Sequence, residues 1–344
     1  MITIVLPCRN EEQAVAICIE KIEQVLKEVK HEIIISDSST DQSPIIAAKH
    51  GARVIKHDKE GYGIALITGI ESATYDYILM MDCDNTYDFD KIPRFIEALD
   101  DGYEFIIGDR FKGGIMKGAM PWHHKYIGNP ILSTLARLFM DTKVRDVHCG
   151  MRAFTKEAYH KMQLQTTGME YATEMVAKAS KKKLKTTQIP IKYRKRIGAS
   201  KLSSFRDGWR HLRFMLLYTP GFLFLIPAIY LMLFGITGMI YFPGQFMSGT
   251  MAMMTLFGYQ LLFFFAFSKV YMLNHLGDEN KALENTFKYL TIERASITGI
   301  ILCAVSVLYF FKEPLLTITL GLLGLQTIFS AFMLSTLGIQ KRKI

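Results

Sequence analysis

Asp82-Cys83-Asp84 follows directly on the apolar run at residues 77–81, and a strand's period of two sends both carboxylates to one side of a strand end. Hard divalent ions such as Mg2+ or Mn2+ take oxygen ligands of this kind together with substrate phosphates. Asp82 and Asp84 are therefore candidate metal ligands for an ion that offsets the charge of a departing diphosphate, against the blander reading of a solvated acidic turn. Pro7, Arg9, Asn10 and Glu11, together with Ser36, Asp37, Ser39 and Asp41, offer groups suited to a base and a ribose. Asn10 or Ser43 would equally serve as helix N-caps, and residues 37–41 as a turn. Residues 59–63 fit either a loop close to phosphate or a tight turn. His123, His124 and His148 lack the spacing to a third metal ligand, which leaves them to hydrogen bonding or to the surface.

Side chains scattered this widely need a scaffold that gathers them. Short β-branched runs at 2–6, 32–35, 53–55, 77–81 and 105–107 alternate with helical patterns near 11–30, 44–50, after Gly61 and near 89–100. The alternation predicts an α/β domain around a mostly parallel, doubly wound sheet. Ligands of such sheets bind beyond the carboxyl ends of the strands. The polar clusters fall there: residues 7–11 after the first strand, 37–41 after the second, 82–84 after the fourth and 108–110 after the fifth.

The second half has a different composition. From Phe214 to Ser268 there is no Asp, Glu, Lys or Arg, which no water-exposed surface tolerates. Spanning a hydrocarbon core takes roughly 20 apolar residues, so spans are expected at about 219–242 and 250–273, with two more at 295–311 and 314–339. Before them, residues 201–218 interleave Arg206, Arg210, His211 and Arg213 with Phe205, Trp209, Leu212 and Phe214, the pattern of an amphipathic helix at a membrane interface. The net charge of +9 gathers beside these segments, which favours anionic lipid over nucleic acid as partner. The basic stretch before the first span, the loop 274–294 and the Lys341-Arg342-Lys343 tail fall on one side, predicting a multi-pass protein of the plasma (inner) membrane with cytoplasmic termini. Five cysteines without C-x-x-C pairing fit a reducing compartment, and residues 1–6 do not read as a signal peptide. Self-association is left open.

The order of the motifs is more specific than any one of them. Pro-x-x-Asn-Glu, Asp-x-Ser-x-Asp, Gly61-x-Gly63-x-Ala65, Asp-x-Asp, Gly108-x-Arg110, Asp146-x-x-x-Gly150-x-Arg152 and Gly198-x-Ser200-Lys201 resemble the family 2 glycosyltransferases that act on polyisoprenyl phosphates, the dolichol-phosphate mannose and glucose synthases. The resemblance covers residues 1 to about 215. It implies a GT-A-like, Rossmann-type catalytic domain over residues 1–200 and an all-α membrane domain of about four helices over 219–344. It also implies a nucleotide-sugar donor, a polyisoprenyl phosphate acceptor and a Mg2+ or Mn2+ cofactor. On this resemblance Pro7, Arg9, Glu11, Asp37, Ser39, Asp41, Gly63 and Asp82 would hold the donor. Asp84, Asp146, Arg110 and Arg152 would form the catalytic set, against a structural reading of Asp146 and Arg152 as an ion pair within the domain, and Lys125, Arg194, Lys195, Arg196, Ser200 and Lys201 would receive the acceptor phosphate.

The chain departs from the family in having Ser36-Asp37 where two adjacent Asp are usual, Arg9 where an aromatic often stands, and Lys195 in place of an arginine. Residues 119–122 and 127–130 lean the resemblance toward a UDP-hexose over GDP-mannose. Processive polysaccharide synthases share the sheet and the Asp-x-Asp, but their Gln-x-x-Arg-Trp motif is missing here. A lipid-sugar flippase would show ionisable residues inside its spans, and these have almost none.

Overall fold

Ile2, Ile4, Val5 and Leu6 are fully buried in strand β1 (Ile2–Cys8), as expected of a strand covered on both faces. The computed structural model describes residues 1–344 except 60, 200–203, 243, 276–290, 310–312 and 339–344. Two units emerge, Met1–Met215 and Leu216–Ile344.

In the first unit β1 lies between β2 (His31–Asp37) and β4 (Tyr77–Met80) in a seven-stranded sheet of order β3-β2-β1-β4-β6-β5-β7. The other strands are β3 (Arg53–Lys56), β5 (Phe105–Asp109), β6 (Arg152–Thr155) and β7 (Thr186–Pro190). Helices α1 (Val15–Val25), α2 (Ser43–Lys49), α3 (Tyr62–Glu71) and α4 (Ile92–Asp100) complete the alternation of strand and helix that the sequence pattern predicts. In α1 and α4 the buried residues recur every three or four positions, the stripe that seats a helix on a sheet.

One strand breaks the parallel pattern. β6 runs antiparallel to both β4 and β5, pairing Met80 with Arg152 and Ile107 with Arg152. Reversal puts the start of β6, rather than its end, at the carboxyl edge of the sheet. The loop at 146–151 is thereby delivered to the same edge as Asp82 and Arg110.

Between β5 and β6 come the short α5 (Arg110–Gly113) and α6 (Asn129–Met140), and after β6 come α7 (Lys156–Met162) and α8 (Tyr171–Lys181). The unit ends within α9 (Ser204–Tyr218), the amphipathic segment; its His211 and Met215 are buried while Trp209 is exposed.

The second unit contains helices α10 (Ile226–Tyr241), α11 (Gln245–His275), α12 (Ile292–Leu308) and α13 (Pro314–Gly338). Three stretches, Gly221–Tyr241, Phe246–Asn274 and Pro314–Leu337, are long and apolar enough to cross a membrane. The expected span at 295–311 corresponds to α12, which is 17 residues long and starts with Glu293 and Arg294 in its first turn. Small residues bring these helices close: a Cβ on Gly235 would lie 2.7 Å from the Met251 carbonyl oxygen, and one on Gly324 would lie 2.6 Å from that of Gly299.

Candidate active site

The carboxyl edge of the sheet collects the residues singled out by type and spacing, and gives their charges different treatment. Asp82 and Asp84 stand just beyond β4. Each Asp82 oxygen accepts one phenol hydrogen bond, from Tyr62 at 3.2 Å and from Tyr87 at 3.1 Å. Burial first, then the charge of Asp84, pushes the Asp82 carboxyl up to about 6, against the pull of the phenols and Arg196. Burial, followed by the Asp82 charge, also holds both phenols well above their ordinary range, so they remain donors. Asp84 is buried, and its Oδ1 accepts from the Thr86 amide at 3.1 Å and the Thr86 hydroxyl at 2.6 Å. Its Oδ2 accepts from Arg196 Nη1 at 2.9 Å, while Nη2 of the same guanidinium bonds Glu11.

Backbone hydrogen bonds hold Arg196 there: the Arg194 amide donates to Thr86 O at 2.7 Å and the Ile197 amide to Asp84 O at 3.1 Å. Arg194 itself pairs with Asp88 at 3.1 Å and Asp90 at 3.5 Å. Lys195 between them is exposed and makes no ion pair among the described residues. Ser200 and Lys201 lie outside the described residues. Lys125 is half-buried with its ammonium 5.2 Å from the Tyr126 ring centre.

At the ends of β1 and β2, Asp37 is 1% exposed, and its Oδ1 has no hydrogen-bond partner among the described residues. A buried carboxylate oxygen left without a donor in the protein calls for a partner from outside it, water, ion or ligand. Around it the loops are tied together. Asn10 adopts a left-handed φ of 53° and accepts from the Thr40 amide at 2.8 Å, and Ser39 Oγ accepts from the Asn10 amide at 2.8 Å. Ser43 Oγ accepts from the Glu11 amide at 2.8 Å, so neither Asn10 nor Ser43 acts as the N-cap the sequence allows. Asp41 accepts from the Ser43 amide at 2.9 Å and the Glu12 amide at 3.3 Å. Ser39 and Asp41 thus shape the loop, Pro7 is half-buried next to the last residue of β1, and Arg9 is exposed.

The Asp146 region is organised inward. Arg110 Nε and Nη2 both bond the Asp146 carboxylate at 2.7 Å, the bidentate fork that makes arginine pairs strong, and the Arg110 amide adds a third bond at 3.1 Å. Burial works against the Arg110 charge, but Asp146 overrides it and holds the guanidinium well above its usual value. Asp109 caps the short turn that presents Arg110, accepting from the Lys112 amide at 2.8 Å. Arg152 is fully buried and donates to three backbone carbonyls, Cys149 at 2.8 Å, Ala172 at 2.6 Å and Val147 at 2.8 Å. An ion pair within 146–152 is therefore not the arrangement found; Asp146 pairs with Arg110, and Arg152 braces the loop.

Two more placements refine the reading. Gly63 is needed for packing: a Cβ there would meet the Thr167 backbone at 2.8 Å. That crossing is held by Glu174, whose carboxylate accepts from the amides of Gln165 at 2.9 Å and Thr166 at 2.8 Å. Gly150 covers the Asp82 cradle, where a Cβ would lie 2.6 Å from the Tyr87 hydroxyl. Tyr62 and Tyr87 escape sequence reasoning because only the folded chain brings them to Asp82. Their signal was no more than adjacency to Gly63 and to the Asp-x-Asp. His123 is exposed and His124 half-buried, whereas both His148 ring nitrogens are buried without a hydrogen-bond partner among the described residues, so His148 fills neither the surface nor the hydrogen-bonding role expected. His148 faces His211 of α9, ring centres 4.5 Å apart.

The donor set at Asp82 and Asp84 fits a hard divalent ion. The Asp84 charge opposes ionisation of Asp82, and a guanidinium already stands as counter-charge on Asp84. Among the described residues no third His, Cys, Asp or Glu joins them, so remaining ligands would come from substrate phosphate and water.

Comparison with known proteins accords with this geometry. The glycosyl transferase family 2 model matches residues 3–163. The low-salt glycan biosynthesis hexosyltransferase Agl6 of Haloferax volcanii is 34% identical, covering 98% of this chain and 89% of the relative. A dolichyl-phosphate hexose transferase of the same organism is 33% identical over 60% of this chain and 89% of its own. Dolichol-phosphate mannosyltransferase of Pyrococcus furiosus is 27% identical over 58% of this chain and 59% of its own. Glucosyl-3-phosphoglycerate synthase of Mycobacterium tuberculosis, solved with Mn2+ and UDP, shares the fold at 19% identity with a TM-score of 0.51, covering 64% of this chain and 80% of that one. With a relative this similar along nearly its whole length, the chain belongs to glycosyl transferase family 2.

Proposed function

We propose that this glycosyltransferase moves a hexose, with inversion, from a nucleotide sugar to a membrane polyisoprenyl phosphate. The observation that carries the reading is the under-compensated Asp82–Asp84 pair at the carboxyl edge of the sheet, beside the unpartnered Asp37 oxygen. Asp37 receives the nucleoside base, with Pro7, Arg9 and Glu11 lining its approach, and a UDP-hexose is favoured over GDP-mannose. Mg2+ or Mn2+ bound by Asp82 and Asp84 would supply charge stabilisation for the leaving diphosphate. Relatives named for dolichyl-phosphate hexose and dolichol-phosphate mannose transfer support the acceptor class.

A phosphate monoester with a second pKa near 6 is largely ionised at neutral pH. Its oxygen needs no strong general base, so positioning and charge dominate the chemistry. Lys195, exposed and without an ion pair, is the cation assigned to the acceptor phosphate, with Lys125 assisting. Arg110, Asp146 and Arg152 fix the loop that shapes the sugar side of the site. The apolar helices, with α12 as a fourth span, keep the enzyme in the plasma membrane with both termini cytoplasmic.

The test is a panel of radiolabelled nucleotide sugars offered with polyprenyl phosphate to the purified full chain. One labelled lipid-phosphate sugar whose anomeric configuration by NMR is opposite to that of the donor is expected. Retention, or a polymer released in place of a lipid-linked sugar, would sink the reading.

A further inference from the structure

The five cysteines take no part in the proposed reaction, yet three of them meet beside Asp82 and Asp84. Cys8 ends β1, Cys18 belongs to the buried stripe of α1, and Cys83 separates the two carboxylates. All three are buried, with free thiols. Strand register brings the first and the last together: β1 and β4 run parallel with Val5 opposite Met80, and the Met81 amide donates to the Val5 carbonyl at 3.2 Å. Continued in the same direction, that register sets Cys8 beside Cys83. The Cys83 thiol lies within hydrogen-bonding reach of both Cys8 and Cys18.

A single buried cysteine is commonly inert packing. Two thiols in contact can also close a disulfide, and geometry selects which two. Neighbouring strands run about 4.8 Å apart, inside the roughly 4.4–6.8 Å separation of Cα atoms that a disulfide spans. Cys8 also reaches toward the loops, its sulfur 3.8 Å from Oγ of the half-buried Ser39, whereas Cys18 is fully buried. In a reducing compartment a disulfide of this kind is transient and reports on redox state.

We infer that Cys8 and Cys83 form a reversible oxidation site, closed to a disulfide by hydrogen peroxide and reopened by a dithiol. One thiol reduces the peroxide, giving one water and a sulfenic acid, S–OH. The second sulfur displaces that hydroxyl as a second water and forms the S–S bond. Two thiols thereby give up two electrons and two protons, and the O–O bond takes them. A dithiol reverses the change by exchange and leaves as its own disulfide.

The consequence falls on the residues either side of Cys83. Sulfurs bonded at about 2.0 Å are closer than any thiol contact, so closing the bond draws Cys83 toward β1 and carries Asp82 and Asp84 with it. Mn2+ affinity should then fall by about tenfold or more. This effect rests on the proposed reading of the carboxylates; the disulfide does not.

The test treats the full chain with hydrogen peroxide, unfolds it in N-ethylmaleimide and maps its peptides by mass spectrometry. A peptide crosslinked between Cys8 and Cys83 is expected, with Cys18, Cys149 and Cys303 alkylated and with both thiols restored by dithiothreitol. Five alkylated cysteines, irreversible oxidation of Cys83, or a crosslink to Cys18 would overturn the inference. The crosslink should persist in Cys18→Ala and vanish in Cys8→Ala, whose Mn2+ binding peroxide should leave unaltered. An oxidised chain that binds Mn2+ as tightly as the reduced one would overturn the coupling to the carboxylates. If the reduced chain bound no Mn2+, the metal reading would fail while the peptide map still decided the disulfide.

Discussion

Asp82 and Asp146 sit at the same edge of one sheet, and the protein handles their charges in opposite ways. Asp146 is wrapped: a bidentate guanidinium and a backbone amide satisfy it from within. Burial and a second carboxylate act on Asp82, and two neutral phenols only partly offset this, so its pKa lies near 6. A charge that the fold neutralises belongs to the architecture, and the charge that the fold leaves against a second carboxylate is the one proposed to receive a cation. The same division separates the cations. Arg152 and Arg110 are spent on the loop, whereas Lys195 is exposed and uncommitted.

The contrast is most severely tested by removing carboxylates. Asp84→Ala in the full chain should lower transfer by about a thousandfold or more, with lipid binding retained, because charge stabilisation of a leaving group is among the largest catalytic contributions. Equal loss of lipid binding would point to general disruption. Asp146→Asn leaves the Arg110 guanidinium buried without its counter-charge and should destabilise the first unit by about 3–5 kcal/mol. Asp82→Asn relieves repulsion and should leave metal-free thermal stability unchanged or higher. If denaturation midpoints showed the two asparagine variants equally impaired, the division of roles would fail.

Acidification gives a graded version of the comparison. Asp82 holds its proton up to about pH 6, against 3.8 for an ordinary aspartate. Protonation thus favours the folded, metal-free state: the contribution of Asp82 is present below pH 3.8 and is lost as pH rises through about 6. Cation binding needs the ionised form, so Mn2+ affinity should fall below pH 6, approaching tenfold per unit. A titration followed by Mn2+ paramagnetic resonance that stays flat from pH 7 to about 5 would contradict this assignment.

Sequence made the sheet legible because β-branched runs and helical stripes carry the information locally, and the Asp-x-Asp could be placed because it follows an apolar strand. The direction of β6 was not legible, since a four-residue strand reads the same in either orientation and pairing with β4 and β5 decides it. For the same reason Asp146 and Arg152, six positions apart, invite pairing on paper, while the fold gives Asp146 to an arginine that is 36 residues distant. Tyr62 and Tyr87 were hidden because a phenol becomes a carboxylate partner only through tertiary contact. The three consecutive cations at 194–196 were equivalent in sequence; tertiary contact sends Arg194 to Asp88 and Arg196 to Glu11 and Asp84, and leaves Lys195 exposed.

That sorting of the cations yields the finest test. Arg196 is the internal counter-charge of Asp84, so a divalent ion entering the pair must displace or share a guanidinium already bonded at 2.9 Å. Arg196→Gln removes the competitor and should tighten Mn2+ binding in the absence of nucleotide by several-fold, on the order of 1 kcal/mol for a partly exposed ion pair. Arg194→Gln, whose partners are Asp88 and Asp90, should leave that affinity unchanged. Weaker Mn2+ binding in Arg196→Gln would mean that the arginine holds Asp84 in position for the ion, and the distinction between neutralised and waiting carboxylates would have to be drawn at Asp82 alone.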